Sequence, residues 1–97
     1  MDLGNAIKSL RKSLKVSRKR LATNSGISTT ALYNIEKNLS FPSKITIDKI
    51  CSALGVPVSF LLFCSITEKD VPEDKREIFR YLSTPLKAFL LDDLIQK

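Results

Sequence analysis

Three observations predict an all-α chain. Apolar residues recur at helical spacing from Leu3 onward, small polar residues stand where helices would begin, and no segment alternates apolar with polar residues as a half-buried strand does. The expected architecture is five short helices over residues 1–66 followed by a helical extension over residues 67–97. Ninety-seven residues, 43% of them hydrophobic, are enough for one domain with one modest core.

The elements follow in order. Leu3, Ile7, Leu10 and Leu14 lie on one stripe behind a capping Asp2, which predicts a first helix from Leu3 to Leu14. Ser17 caps a second helix ending near Asn24, and Ser28 caps a third ending near Lys37, where Asn38 is an acceptable left-handed stop. Residues 39–43 read as a loop. The fourth helix starts around Ser43 and Lys44, places Ile47, Ile50, Cys51 and Leu54 on one stripe, and stops at Gly55. Pro57 suits the first turn of a fifth helix reaching about Phe63. After a polar break at 67–70, Val71 and Pro72 open another helix, and Pro85 kinks the chain or restarts it as a last helix.

Composition removes several classes of function. The longest apolar run, Val56 to Ile66, is far short of the roughly 20 residues that span a bilayer, and the N-terminus lacks the apolar character of a signal peptide. A cytoplasmic protein without a membrane partner is expected. With no histidine and only Cys51 and Cys64, no metal site is expected, and both thiols read as core or near-core groups in a reducing compartment. No paired-carboxylate constellation or Gly-rich phosphate loop suggests an enzyme, and no cofactor or small-molecule ligand is expected. Charge is more telling. Residues 1–63 hold ten Lys or Arg against Asp2, Glu36 and Asp48, whereas residues 64–97 hold six against seven acids. Lys8, Arg11, Lys12, Lys15, Arg18, Lys19 and Arg20 follow one another with no acid between them, as on a surface that meets phosphates.

Residues 17–38, SRKRLATNSGISTTALYNIEKN, carry the strongest signal. Two short helices are joined by a turn at Gly26, with Leu21 and Ala22 facing inward from the first and Leu32 and Ile35 from the second. Together with the preceding LRKSLKVSRKRLA and the following FPSKITIDKICSALGVP, this stretch resembles the lambda-repressor-like family, the Cro and Xre type of helix-turn-helix regulators. The resemblance implies a five-helix DNA-binding domain. It covers the first 63 residues and not the remainder. The chain departs from the family pattern at three places: Arg18 stands where Gln is frequent, Asn38 where Gly is usual, and Phe60 where a polar or acidic residue is common.

A helix turns 100° per residue, so with Ala31, Leu32 and Ile35 inward, Thr30, Tyr33, Asn34 and Lys37 face outward. Family members make base contacts from the positions matching Thr29, Thr30 and Asn34. The expected base contacts are therefore Thr29, Thr30, Tyr33 and Asn34, with Asn34 suited to adenine and a threonine methyl to thymine. Arg18, Lys37, Ser40 and Lys44 are candidates for phosphate contacts. Glu36 matches a family position that pairs with the arginine corresponding to Arg11, which implies a structural ion pair between helices one and three.

The resulting expectation is a transcriptional regulator, most often a repressor, that binds an inverted-repeat operator in double-stranded DNA as a homodimer. An antitoxin or restriction controller would use the same module, and a protein-recruiting adaptor is the alternative outside DNA binding. The apolar residues Phe60, Phe63, Ile78, Phe79, Leu82, Leu86, Phe89, Leu90 and Leu94 exceed what the five-helix core needs. They are the candidate dimer interface, with Phe60 and Phe63 near the two-fold axis and the helices around Pro85 wrapping the neighbour.

Overall fold

The structure, a computed structural model, describes residues 1–95, with side-chain surroundings given through Asp93. Six α-helices are formed among them: α1 (Leu3–Ser13), α2 (Arg18–Ser25), α3 (Thr29–Glu36), α4 (Lys44–Leu54), α5 (Val58–Ser65) and α6 (Arg76–Ile95). Short 3-10 turns occupy Glu68–Asp70 and Glu73–Lys75. The backbone divides into two units, one from Asp2 to Ser65 and one comprising Met1 with the chain from Ile66 onward.

Side-chain caps start the first four helices of the larger unit. Asp2 accepts from Asn5 N at 3.0 Å, Ser17 from Arg20 N at 3.0 Å, Ser28 from Ala31 N at 3.0 Å and Ser43 from Thr46 N at 3.2 Å. Each satisfies one of the N–H groups that the first turn of a helix leaves unpaired. Helix α1 packs on α3 and α5, α2 on α3 and α4, and α4 on α5. The chain bends by 102° between α4 and α5, where Gly55 takes a left-handed φ of 73°. Ile7, Leu21, Leu32, Ile50 and Leu61 are fully buried where these helices meet. Removing each from water stabilises the fold by about 1.5–3 kcal/mol before ordering entropy is counted.

The N-terminus of α1 is tied down at two further points. Asp2 N donates to Ser65 O at 2.7 Å, joining the start of α1 to the end of α5. Asn38, at φ 59°, donates from Nδ2 to Asp2 Oδ1 at 2.8 Å and accepts from Gly4 N at 3.0 Å. A glycine at position 38 would satisfy the backbone but not make this bridge. Gly4 is needed because a β-carbon there would run into the Ile35 carbonyl oxygen and Asn38 Oδ1. Cys51 is buried and Cys64 half-buried, and neither is in a disulfide. Burial pushes the Cys51 thiol up to about 11.

Of the two sequence expectations at Pro85, a kink or a restart as a last helix, the restart is not formed. A single helix, α6, runs through that proline. The pyrrolidine ring holds φ near a helical value, so the helix continues at the cost of the bond that the Tyr81 carbonyl would have received. Val71 and Pro72 do not open this helix either. Its start lies at Arg76, whose Nε donates to Glu68 O at 2.9 Å and Val71 O at 3.1 Å and so folds the preceding turns onto the first turn of α6. Arg80 adds a two-point ion pair with Glu68 at 2.6 and 3.2 Å.

Of the apolar residues assigned to a dimer interface, Phe60 is only 7% exposed. It is consumed in the chain's own packing and offers nothing to a partner. Phe63, Phe79 and Leu90 are half-buried, and the side chain of Leu94 lies outside the described residues. Ile78, Leu82, Leu86 and Phe89 are exposed. Among the described residues no single helix is long and apolar enough to cross a membrane.

Candidate nucleic-acid interface

The core fixes which face of α3 is presented. Leu32 and Ile35 are buried, Glu36 is 4% exposed, and Thr29, Thr30 and Tyr33 are exposed, with Asn34 half-buried beside them. Gly26, at φ 71°, turns the chain between α2 and α3, a conformation that strains residues with a β-carbon. Leu21 and Ala22 are buried on the α2 side, so the two helices approach closely.

Glu36 anchors this face. Its carboxylate accepts from Arg11 Nε at 2.8 Å, Arg11 Nη2 at 3.1 Å and Arg18 Nε at 3.1 Å. Arg11 also donates from Nη1 to Val16 O at 3.1 Å. One buried carboxylate therefore joins α1, α2 and α3. Arg18 has a second role beyond the phosphate contact read from the sequence: its guanidinium lies 5.1 Å from the Tyr33 ring centroid, and Lys37 Nζ lies 5.7 Å from the same ring. Tyr33 is thus held by two cations at the edge of the exposed face. Nothing in the local spacing of Arg18 marks it as the third partner, because α2 meets α3 only in the folded packing.

Lys8, Lys12, Arg18 and Lys37 stand near one another. The ammonium of Lys8 is held below its ordinary value by the positive charges of Lys12 and Lys37, then by burial and Arg18. Ser40 and Lys44 are exposed, Ser40 in the loop after α3 and Lys44 in the first turn of α4. The loop folds back on α3 through Leu39 N and Ser40 N, which donate to Asn34 O at 2.8 and 3.3 Å. No group of three or more His, Cys, Asp or Glu is placed to hold a metal ion among the described residues.

A capped helix, a left-handed glycine turn and a second helix with its polar face outward define the helix-turn-helix class, and the helix-turn-helix family model matches residues 7–61. The chain belongs to that family, as a DNA-binding domain of the Xre/Cro type. It is also similar to the immunity repressor protein of Bacillus phage phi105, with 30% identity over 90 residues. That match takes in 80% of this chain and 62% of the relative's length.

Proposed function

We propose that the protein is a sequence-specific repressor that binds an inverted-repeat operator as a homodimer. The observation that carries this reading is α3 itself: Thr29, Thr30 and Tyr33 are exposed, with Asn34 half-buried beside them, on a helix locked from beneath by Leu32, Ile35 and the Glu36 carboxylate. A helix so held can lie in a major groove and present amide and hydroxyl groups to base edges. Lys37, Ser40 and Lys44, with the terminal nitrogens of Arg18, then meet phosphates on either side and set the register. A relative named as a phage immunity repressor supports repression as the outcome of that binding.

Two-fold symmetry of the operator follows from a dimer, whose surface we assign to the exposed Ile78, Leu82, Leu86 and Phe89 of α6. The test is a mobility-shift titration on mixed duplex at two salt concentrations, followed by footprinting on a duplex selected for tight binding. Retention that weakens steeply with salt and two protected half-sites about 10 base pairs apart, or a multiple, are expected. Absence of retention at low salt would refute DNA binding, and a single protected half-site at saturation would refute the dimer.

A further inference from the structure

Tyr33 is a large aromatic side chain on the outer face of α3, and at 41% exposure it is not part of the core. Two cations from different elements nevertheless converge on its ring. The Arg18 guanidinium, from the first turn of α2, lies 5.1 Å from the ring centroid, and the ammonium of Lys37, the C-cap of α3, lies 5.7 Å from it. Arg18 is fixed a second time by the buried Glu36 carboxylate, which engages Nε and not the two terminal nitrogens. The like charges of Lys12 and Lys37, in that order, also depress the Lys8 ammonium, so positive groups are crowded here against their own repulsion.

We propose that Tyr33 is a positioning residue, whose ring sets the Arg18 guanidinium and the Lys37 ammonium in place for the phosphates of bound DNA and leaves base reading to Thr29, Thr30 and Asn34. This rests on the DNA-binding reading above. Long cationic side chains give up rotamer freedom when they settle on a phosphate, and a side chain already held loses less. A carboxylate could hold them too, but it would cancel the charge that the phosphate needs. The face of an aromatic ring attracts a cation through its quadrupole and leaves the full charge in place. A ring that swung into the groove to meet a base would give up both contacts. The pairing also belongs to this chain: Arg18 stands where Gln is frequent in the family, and a neutral amide there would gain little from the ring.

The test has one arm without DNA and one with it. In the free protein, nuclear magnetic resonance should show the Lys37 and Arg18 side-chain protons shifted upfield by the Tyr33 ring current, and Tyr33→Leu should abolish those shifts. Absence of the shifts in the wild type overturns the clamp whether or not any duplex is retained. With DNA, Tyr33→Leu, checked for folding by circular dichroism, should bind a duplex selected by the wild type and a mixed duplex alike about fivefold or more weakly, from the freedom returned to two side chains. Tyr33→Phe, which keeps the ring, should bind as the wild type does. The loss should shrink when Tyr33→Leu is made together with Arg18→Gln and Lys37→Gln, because nothing is then left for the ring to hold. Unchanged affinity in Tyr33→Leu overturns the proposal, as does an equal loss in Tyr33→Phe, which would mean a contact through the hydroxyl. A loss confined to one base pair of the selected site, or a loss undiminished without the two cations, would make Tyr33 a direct DNA contact and overturns it as well. A wild type that shows the ring shifts but retains no duplex overturns the DNA-binding reading and the positioning role with it.

Discussion

At the scale of single residues, the N-terminus of α1 carries more of the fold than its composition suggests. Gly4 stands against the Ile35 carbonyl, so Gly4→Ala forces α1 away from α3 and should destabilise the protein by about 1–3 kcal/mol in urea unfolding. Unaltered stability would show that the two helices separate freely. The Asp2 carboxyl is held below its ordinary value first by the hydrogen bond from the Asn38 side chain and then by that from Asn5 N. Because the folded value is the lower one, this contribution to stability is present above the unfolded value of 3.8 and is lost as pH falls through the folded value. Asp2→Asn should therefore flatten the acid side of the stability profile, and identical acid slopes in the two proteins would remove Asp2 from the account. Asp2 as a cap and Asn38 as a left-handed stop were legible in the sequence, because each depends on local backbone chemistry. Their bond to one another was not, since it joins residues 36 positions apart.

Among elements, the boundaries of α1 to α5 were readable to within about two residues because caps, glycine stops and apolar stripes agree with one another there. Beyond Ser65 they conflict. A proline at position 85 suggests a break, yet α6 passes through it, and Thr67 to Asp70 reads as a polar linker although Arg76 and Arg80 hold Glu68 against the helix. The joint between α1, α2 and α3 is the Glu36 carboxylate with Arg11 and Arg18. Removing one member leaves buried charge without its partner, so Arg11→Met or Glu36→Leu alone should cost about 3–5 kcal/mol. The double variant should lose less than the sum, while Arg18 keeps the Glu36 effect from vanishing in the Arg11→Met background. Strictly additive losses in that double-mutant cycle would contradict the joint.

For the whole molecule, the helix-turn-helix class is plain in residues 7–61, and the proposed dimer rests on the C-terminal unit. Ile78, Leu82, Leu86 and Phe89 expose one apolar side of α6, a liability for a monomer at working concentration. Light scattering should give a dimer for the full chain and a monomer for a chain ending at Thr67; a monomeric full-length protein at micromolar concentration would contradict the assignment of α6. The central claim, that α3 reads sequence, is tested most directly by selecting bound duplexes from a random library with the wild-type chain and with Asn34→Ala. The wild type should return an inverted repeat with A·T pairs in each half-site, and the variant should relax its preference at one symmetry-related base pair by about 1–3 kcal/mol while still binding. Recovery of the same site with the same preferences by both proteins would contradict the claim.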